Sequence, residues 1–171
     1  LLKKNIMIGT AVVDMYAKCG VLEKAQAVFD ELPRHNVVSW TALLAGYAQL
    51  GETESALDLF NGMVSKGIVP DVVTFLVLLS SCSHAGHVEE GKRLFNDMEN
   101  VYGLRPTLEH YACMVDLFCR AGHFEKAMVV IEKVPPSDCV QLWLDLLGAC
   151  RKWLNVELGR WAFEKAIEID G

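Results

Sequence analysis

One pattern returns along this chain at nearly fixed intervals, and it decides what the chain can fold into. Gly20, Gly51, Gly86 and Gly122 stand 31, 35 and 36 residues apart, and Leu154 holds the equivalent place 32 residues further on. Four residues before each mark is a core-type side chain: Tyr16, Tyr47, Cys82, Phe118 and Cys150. Three after it is a glutamate: Glu23, Glu54, Glu89, Glu125 and Glu157. Five after comes a small residue (Ala25, Ala56, Gly91, Ala127, Gly159), and nine after a bulky apolar one (Phe29, Phe60, Phe95, Ile131, Phe163). A chain that repeats itself at this period builds a row of supersecondary units, not a single centred core.

Each unit reads as a pair of helices. In the first, Val12, Met15 and Tyr16, then Val28, Phe29 and Leu32, keep the three-and-four spacing of amphipathic helices. The mark glycine supplies a positive-φ turn, and the glutamate falls in the first turn of the second helix, where the helix dipole favours an anion. The small residue lets the paired helices approach closely. Pro33, Pro70, Pro106 and Pro135 punctuate the ends of the second helices. One hairpin cannot bury its apolar face alone, so neighbours must stack. The expected fold is all-α, an α-solenoid of about ten helices, with units at 6–36, 37–71, 72–107, 108–139 and 140–171.

Composition narrows the function classes. With 52% hydrophobic and 22% charged residues the chain is not disordered. Its longest apolar stretch, around Val72 to Leu79, is far too short to cross a bilayer, so no membrane partner is expected. No signal peptide is visible, and with Leu1 and Gly171 at its ends the chain reads as a piece excised from something longer. A net charge of −6 and a pI near 5.3 argue at first sight against a basic nucleic-acid clamp. The cysteines, Cys19, Cys82, Cys113, Cys119, Cys139 and Cys150, contain no C-x-x-C pair. They read as reduced, mostly buried thiols of an intracellular protein, with neither metal nor cofactor.

The phrase AVVDMYAKCGVLEKAQAVFDELPRHNVVSWTALLAGYAQLGETESALDLFNGMVSKGIVPDVVTF resembles the pentatricopeptide repeat family, in particular its plant class with mixed unit lengths. Unit 6–36 looks like the short type, 37–71 like the 35-residue type and 72–107 like the 36-residue long type. LEHYACMVDLFCRAGHFEKAMVVIEKVP is similar to the last short unit, and LLGACRKWLNVELGRWAFEKAIEID to the first carboxy-terminal extension motif. The resemblance implies binding of single-stranded organelle RNA, one base per repeat, as the specificity part of a cytidine-to-uridine editing factor in mitochondria or chloroplasts. Other editing-complex proteins would dock on the extension motif.

The family places its base-contacting residues at the fifth and last positions of each unit. Here they are Thr10 with Asn36 and Thr41 with Asp71. A short hydroxyl leaves room for a purine; an acid accepts from the N–H donors of guanine, and an amide matches the mixed edge of adenine. By the family's pattern the first two units would read 5′-AG-3′. Leu76 with Thr107, and Ala112 with Asp138 or Cys139, lack such chemistry, and no base is assigned to them. The second positions, Met7, Val38 and Val73, are apolar and could sandwich bases or pack the core, whereas Glu109 departs from that pattern.

Phosphate contacts need cations. Two residues before each mark stand Lys18, Gln49, His84, Arg120 and Lys152, of which Lys18, Arg120 and Lys152 are the candidates. A zinc deaminase would pair H-x-E with P-C-x-x-C. His87-Val88-Glu89 and His123-Phe124-Glu125 supply the first half, but their glutamates belong to the repeat series and the second half is missing. The chain therefore reads as non-catalytic. The competing reading is a helical scaffold that binds peptides, as tetratricopeptide-like repeats do.

Overall fold

A computed structural model describes residues 6–135, 140–152 and 154–170. Asp138, Cys139 and Trp153 lie outside the described residues, and with them the last position of the fourth unit. Ten α-helices occupy the described chain: α1 (Ile6–Lys18), α2 (Leu22–Asp30), α3 (Val37–Gln49), α4 (Thr53–Ser65), α5 (Val72–Ala85), α6 (Val88–Asn100), α7 (Leu108–Arg120), α8 (Phe124–Ile131), α9 (Val140–Lys152) and α10 (Val156–Asp170). The fold is all-α, a succession of stacked helical hairpins. The helices gather into two compact units, one up to Ser81 and one from Cys82 onward.

The turn inside every hairpin is closed by one main-chain bond. The N–H one residue past the mark donates to the carbonyl of the core-type residue four before it: Val21 to Tyr16, Glu52 to Tyr47, His87 to Cys82, His123 to Phe118 and Asn155 to Cys150, at 2.8 to 3.0 Å. This six-to-one closure requires the mark residue to be left-handed. Gly20, Gly51, Gly86 and Gly122 sit at φ 73° to 79°, and Leu154 makes the same turn at φ 54°. Glu23, Glu54, Glu89, Glu125 and Glu157 all stand, exposed, in the first turn of the second helix.

In the unit up to Ser81, the buried residues of α1 are Gly9, Thr10, Val13 and Ala17. The sequence reading put Val12, Met15 and Tyr16 on the packed face, yet Met15 is exposed and the other two are half-buried. The cause is close packing between α1 and α3. A side chain on Gly46 of α3 would come within 2.6 Å of the Ala17 Cβ, so a small-residue face, not the bulkier one, meets the neighbouring helix. Phe29 stacks on His35 and meets Trp40 edge-on at 4.8 Å, and Phe60 meets Phe75 at 5.7 Å. The ninth-position ring of one hairpin thus lands on the fourth residue of the next.

In the unit from Cys82 onward, Phe95 meets Tyr111 at 5.4 Å by the same rule. Gly91 of α6 packs closely on Leu117, whose Cδ2 would have to move aside for any side chain there. Leu117, Ile131, Leu142 and Leu146 are buried completely or nearly so. Trp161 packs its ring on Trp143 at 5.0 Å and so closes the last hairpin.

Candidate nucleic-acid interface

The starts of α1, α3 and α5 carry the residues singled out for base contact, and local capping explains their placement. Asn36 is the N-cap of α3: its Oδ1 accepts the Ser39 N–H at 2.9 Å, and the Ser39 hydroxyl accepts the Asn36 N–H at 3.1 Å. Asp71 does the same for α5, accepting the Thr74 N–H on Oδ1 at 2.9 Å while its own N–H donates to the Thr74 hydroxyl at 3.3 Å. Thr107 caps α7 with His110 as its partner, the His110 Nδ1 lying 3.2 Å from the Thr107 nitrogen. Each last-position residue is therefore held by the third residue of the following unit, and those third residues, Ser39, Thr74 and His110, are buried.

Thr10 and Thr41 are buried at 9% exposure. Thr10 lines a cavity of about 540 Å³ together with Ile6, Met7, Ala11, Asp14, Asn36, Val38 and Ala42. Four of the sequence-predicted residues, Met7, Thr10, Asn36 and Val38, thus share one pocket. The Thr10 hydroxyl oxygen is itself buried and has no hydrogen-bond partner among the described residues. A buried hydroxyl left unpaired costs free energy, so this atom is a site of unsatisfied polarity beside the pocket. The Asn36 Oδ1 is engaged by the Ser39 N–H, so what this amide has left to offer is chiefly its NH₂ donor. Thr41 is paired: its hydroxyl lies 2.8 Å from that of Thr74, which donates to Asp71 at 2.9 Å.

Met7, Val38 and Val73 are 82%, 58% and 52% exposed, so core packing does not account for these second-position apolar residues. Glu109, at the same register in α7, is exposed and within hydrogen-bond reach of the Thr107 hydroxyl. Of the cations, Lys18 pairs with Asp14 at 2.7 Å and Arg120 with Asp116 at 2.7 Å, each one turn back on its own helix. Such exposed pairs are worth only ~0–1 kcal/mol. Lys152 is exposed in the last turn of α9.

Sequence reasoning passed over the third-position residues. Their signal was present, in the capping spacing Asn36-x-x-Ser39 and Asp71-x-x-Thr74. It also passed over the aromatic fourth positions, Trp40, Phe75, Tyr111 and Trp143.

Burial pushes the thiols of Cys82 and Cys113 up to about 11 and that of Cys119 up to about 12, so none is a nucleophile near neutrality. Among the described residues no group of three His, Cys, Asp or Glu is gathered that could hold a metal ion, and no helix is long and apolar enough to cross a membrane.

The model described as "PPR repeat family" matches residues 35–84, and the "PPR repeat" model matches 10–37, 73–101 and 109–134. A mitochondrial pentatricopeptide repeat-containing protein of Arabidopsis thaliana is 43% identical over 169 residues, which is 99% of this chain and 26% of that protein. A chloroplastic one from the same plant is 43% identical over 166 residues, 97% of this chain and 20% of the relative. The chain thus spans about a quarter of the length of the curated relatives it matches. Among solved structures, the pentatricopeptide repeat protein PPR10 in complex with an 18-nucleotide psaJ RNA element superposes with a TM-score of 0.65 at 28% identity, over 71% of this chain and 18% of that one. The PPR domain of Arabidopsis thaliana protein-only RNase P 1, in complex with tRNA, shares the fold with a TM-score of 0.73 at 20% identity, over 94% of this chain and 88% of that one.

Proposed function

The chain belongs to the pentatricopeptide repeat family, and from that premise we propose that it binds single-stranded RNA, reading one base per repeat at its first two repeats. The observation that carries this reading is the Thr10 pocket, where Thr10, the N-cap Asn36 and the apolar Met7 and Val38 line a space of about 540 Å³. Ligand pockets of ~300–1,000 Å³ with few polar groups on apolar walls are the common form of small-site recognition. Met7 and Val38 grip the base faces, Thr10 and Asn36 meet its edge, and the mixed donor and acceptor set favours adenine. At the next repeat Thr41 and Asp71 favour guanine, giving 5′-AG-3′. The likeness to RNA-bound PPR10 supports the reading.

Lys18, Arg120 and Lys152 contribute phosphate contacts, which supply affinity without regard to sequence. The net charge of −6 is no obstacle, because the recurring glutamates sit at second-helix starts and the base-reading residues at first-helix starts. We further infer the finer class: short, 35-residue and long units followed by an extension motif, acting as the specificity part of an organelle cytidine-to-uridine editing factor. In that role the deaminase lies elsewhere on the longer protein or on a partner. The naming of similar relatives as mitochondrial and chloroplastic supports an organelle address.

Short single-stranded RNAs that differ only at two adjacent bases test the reading. The wild-type chain is expected to favour AG, and Asp71→Asn to shift the second preference from G toward A by about tenfold, the worth of one good hydrogen-bond match. Binding of peptides with no base-dependent RNA binding would overturn the reading in favour of a protein scaffold.

A further inference from the structure

The two base-reading pairs are built alike but wired differently. At the first, the Ser39 hydroxyl turns back on the cap, donating to the Asn36 carbonyl at 2.9 Å, and leaves the Thr10 hydroxyl unpartnered. At the second, Thr74 occupies the position of Ser39, fully buried, and its hydroxyl touches three groups. It lies 2.8 Å from the Thr41 hydroxyl, 2.9 Å from the Asp71 Oδ1 and 3.3 Å from the Asp71 nitrogen.

Proton counting fixes the direction of this chain of bonds. A carboxylate only accepts, so the single Thr74 hydroxyl proton goes to the Asp71 Oδ1. Thr74 has no second proton to offer, so in the 2.8 Å contact the donor is Thr41. The Thr41 proton is thereby committed inward, and toward a base Thr41 can only accept. Asp71 uses Oδ1 for the Thr74 N–H and hydroxyl, and its Oδ2 has no hydrogen-bond partner among the described residues. The pair therefore offers two acceptors and no donor. Guanine answers with two adjacent donors on its Watson–Crick edge, N1–H and N2–H, whereas adenine brings one donor group beside an acceptor. Thr10, whose proton is free to point either way, suits the mixed edge of adenine.

Resting on the RNA-binding reading above, we propose that Thr74 is a specificity-determining positioning residue: its buried hydroxyl locks Thr41 and Asp71 into an acceptor-only pair and so selects guanine over adenine at the second repeat. It does this without touching the base. The role belongs to the third position of a unit, which is filled by a hydroxyl residue in both Ser39 and Thr74 but acts across the repeats only in the second.

The test measures the affinity of the 171-residue chain for pentanucleotides containing AG, AA or GG at the two read positions, for wild type, Asp71→Asn, Thr74→Val and Thr74→Ser. Valine keeps the shape and removes the hydroxyl. The expected result is that Thr74→Val lowers the AG:AA ratio by about tenfold, roughly the worth of one hydrogen bond, and leaves the AG:GG ratio, read at the first repeat, unchanged. Thr74→Ser, which restores the hydroxyl, should return the AG:AA ratio to near wild type. A merely structural role would weaken all three RNAs alike, and that outcome overturns the proposal. So does an unchanged AG:AA ratio in Thr74→Val while Asp71→Asn still switches, a result that spares the RNA reading. If wild type and Asp71→Asn both ignore the bases, the RNA reading itself falls and this inference with it.

Discussion

Hairpins α3–α4 and α9–α10 follow one spacing and end differently. In the first, Gly51 makes the turn at φ 79°, and Phe60, nine residues on, is 4% exposed against the ring of Phe75. In the second, Leu154 makes the turn at φ 54°, and Phe163 stands 54% exposed. The closing bond is nevertheless the same, Glu52 to Tyr47 at 3.0 Å and Asn155 to Cys150 at 2.9 Å. The turn is thus a local property that survives loss of its glycine, at the cost of holding a leucine left-handed. Burial of the ninth position is not local, since it depends on an aromatic residue delivered by the next hairpin.

Three substitutions can break or sharpen this contrast. The largest effect is expected for Phe60→Ala, which empties a ring-sized space between α4 and α5 and should cost ~3–5 kcal/mol in urea unfolding. A loss below 1 kcal/mol would mean that the Phe60–Phe75 contact is not what joins these hairpins. Next is Leu154→Gly. Relief of the left-handed strain, less the greater freedom of glycine in the unfolded chain, should raise stability by ~0.5–1 kcal/mol, seen as a higher midpoint. A fall in midpoint would show that the leucine is held by contacts that outweigh its strain. The smallest change belongs to Phe163→Ala, which should stay within ~0.5 kcal/mol of wild type. A loss like that of Phe60→Ala would erase the difference between the two hairpins.

The same division separates what the sequence could tell from what it could not. The turn marks, their glutamates and the small fifth positions are local signals, and helices α1 to α10 fall where those signals put them. Choosing the packed side of α1 was harder. Val12, Met15 and Tyr16 form the bulkier stripe, but proximity to Gly46 decides that Gly9, Val13 and Ala17 go inward. No residue within α1 announces Gly46. For the candidate site, the family's pattern nominated Thr10, Asn36, Thr41 and Asp71. The link from Thr41 to Thr74 could not be read that way, because it joins residues 33 apart and turns on which way a buried hydroxyl points. The ion pairs of Lys18 and Arg120 were legible in principle, as Asp14 and Asp116 stand one helical turn before them.

Under the proposed RNA reading Asn36 and Asp71 hold two posts at once, since each starts a helix and each is assigned to a base. The first post admits few residue types: asparagine, aspartate, serine and threonine are good helix starters, and most replacements lose ~0.5–2 kcal/mol. Any recoding of these repeats must therefore draw its letters from that short vocabulary. Asp71→Asn stays within it and should alter meaning without loosening the fold, whereas a lysine or leucine at the same place would unseat the start of α5 before it could spell anything new.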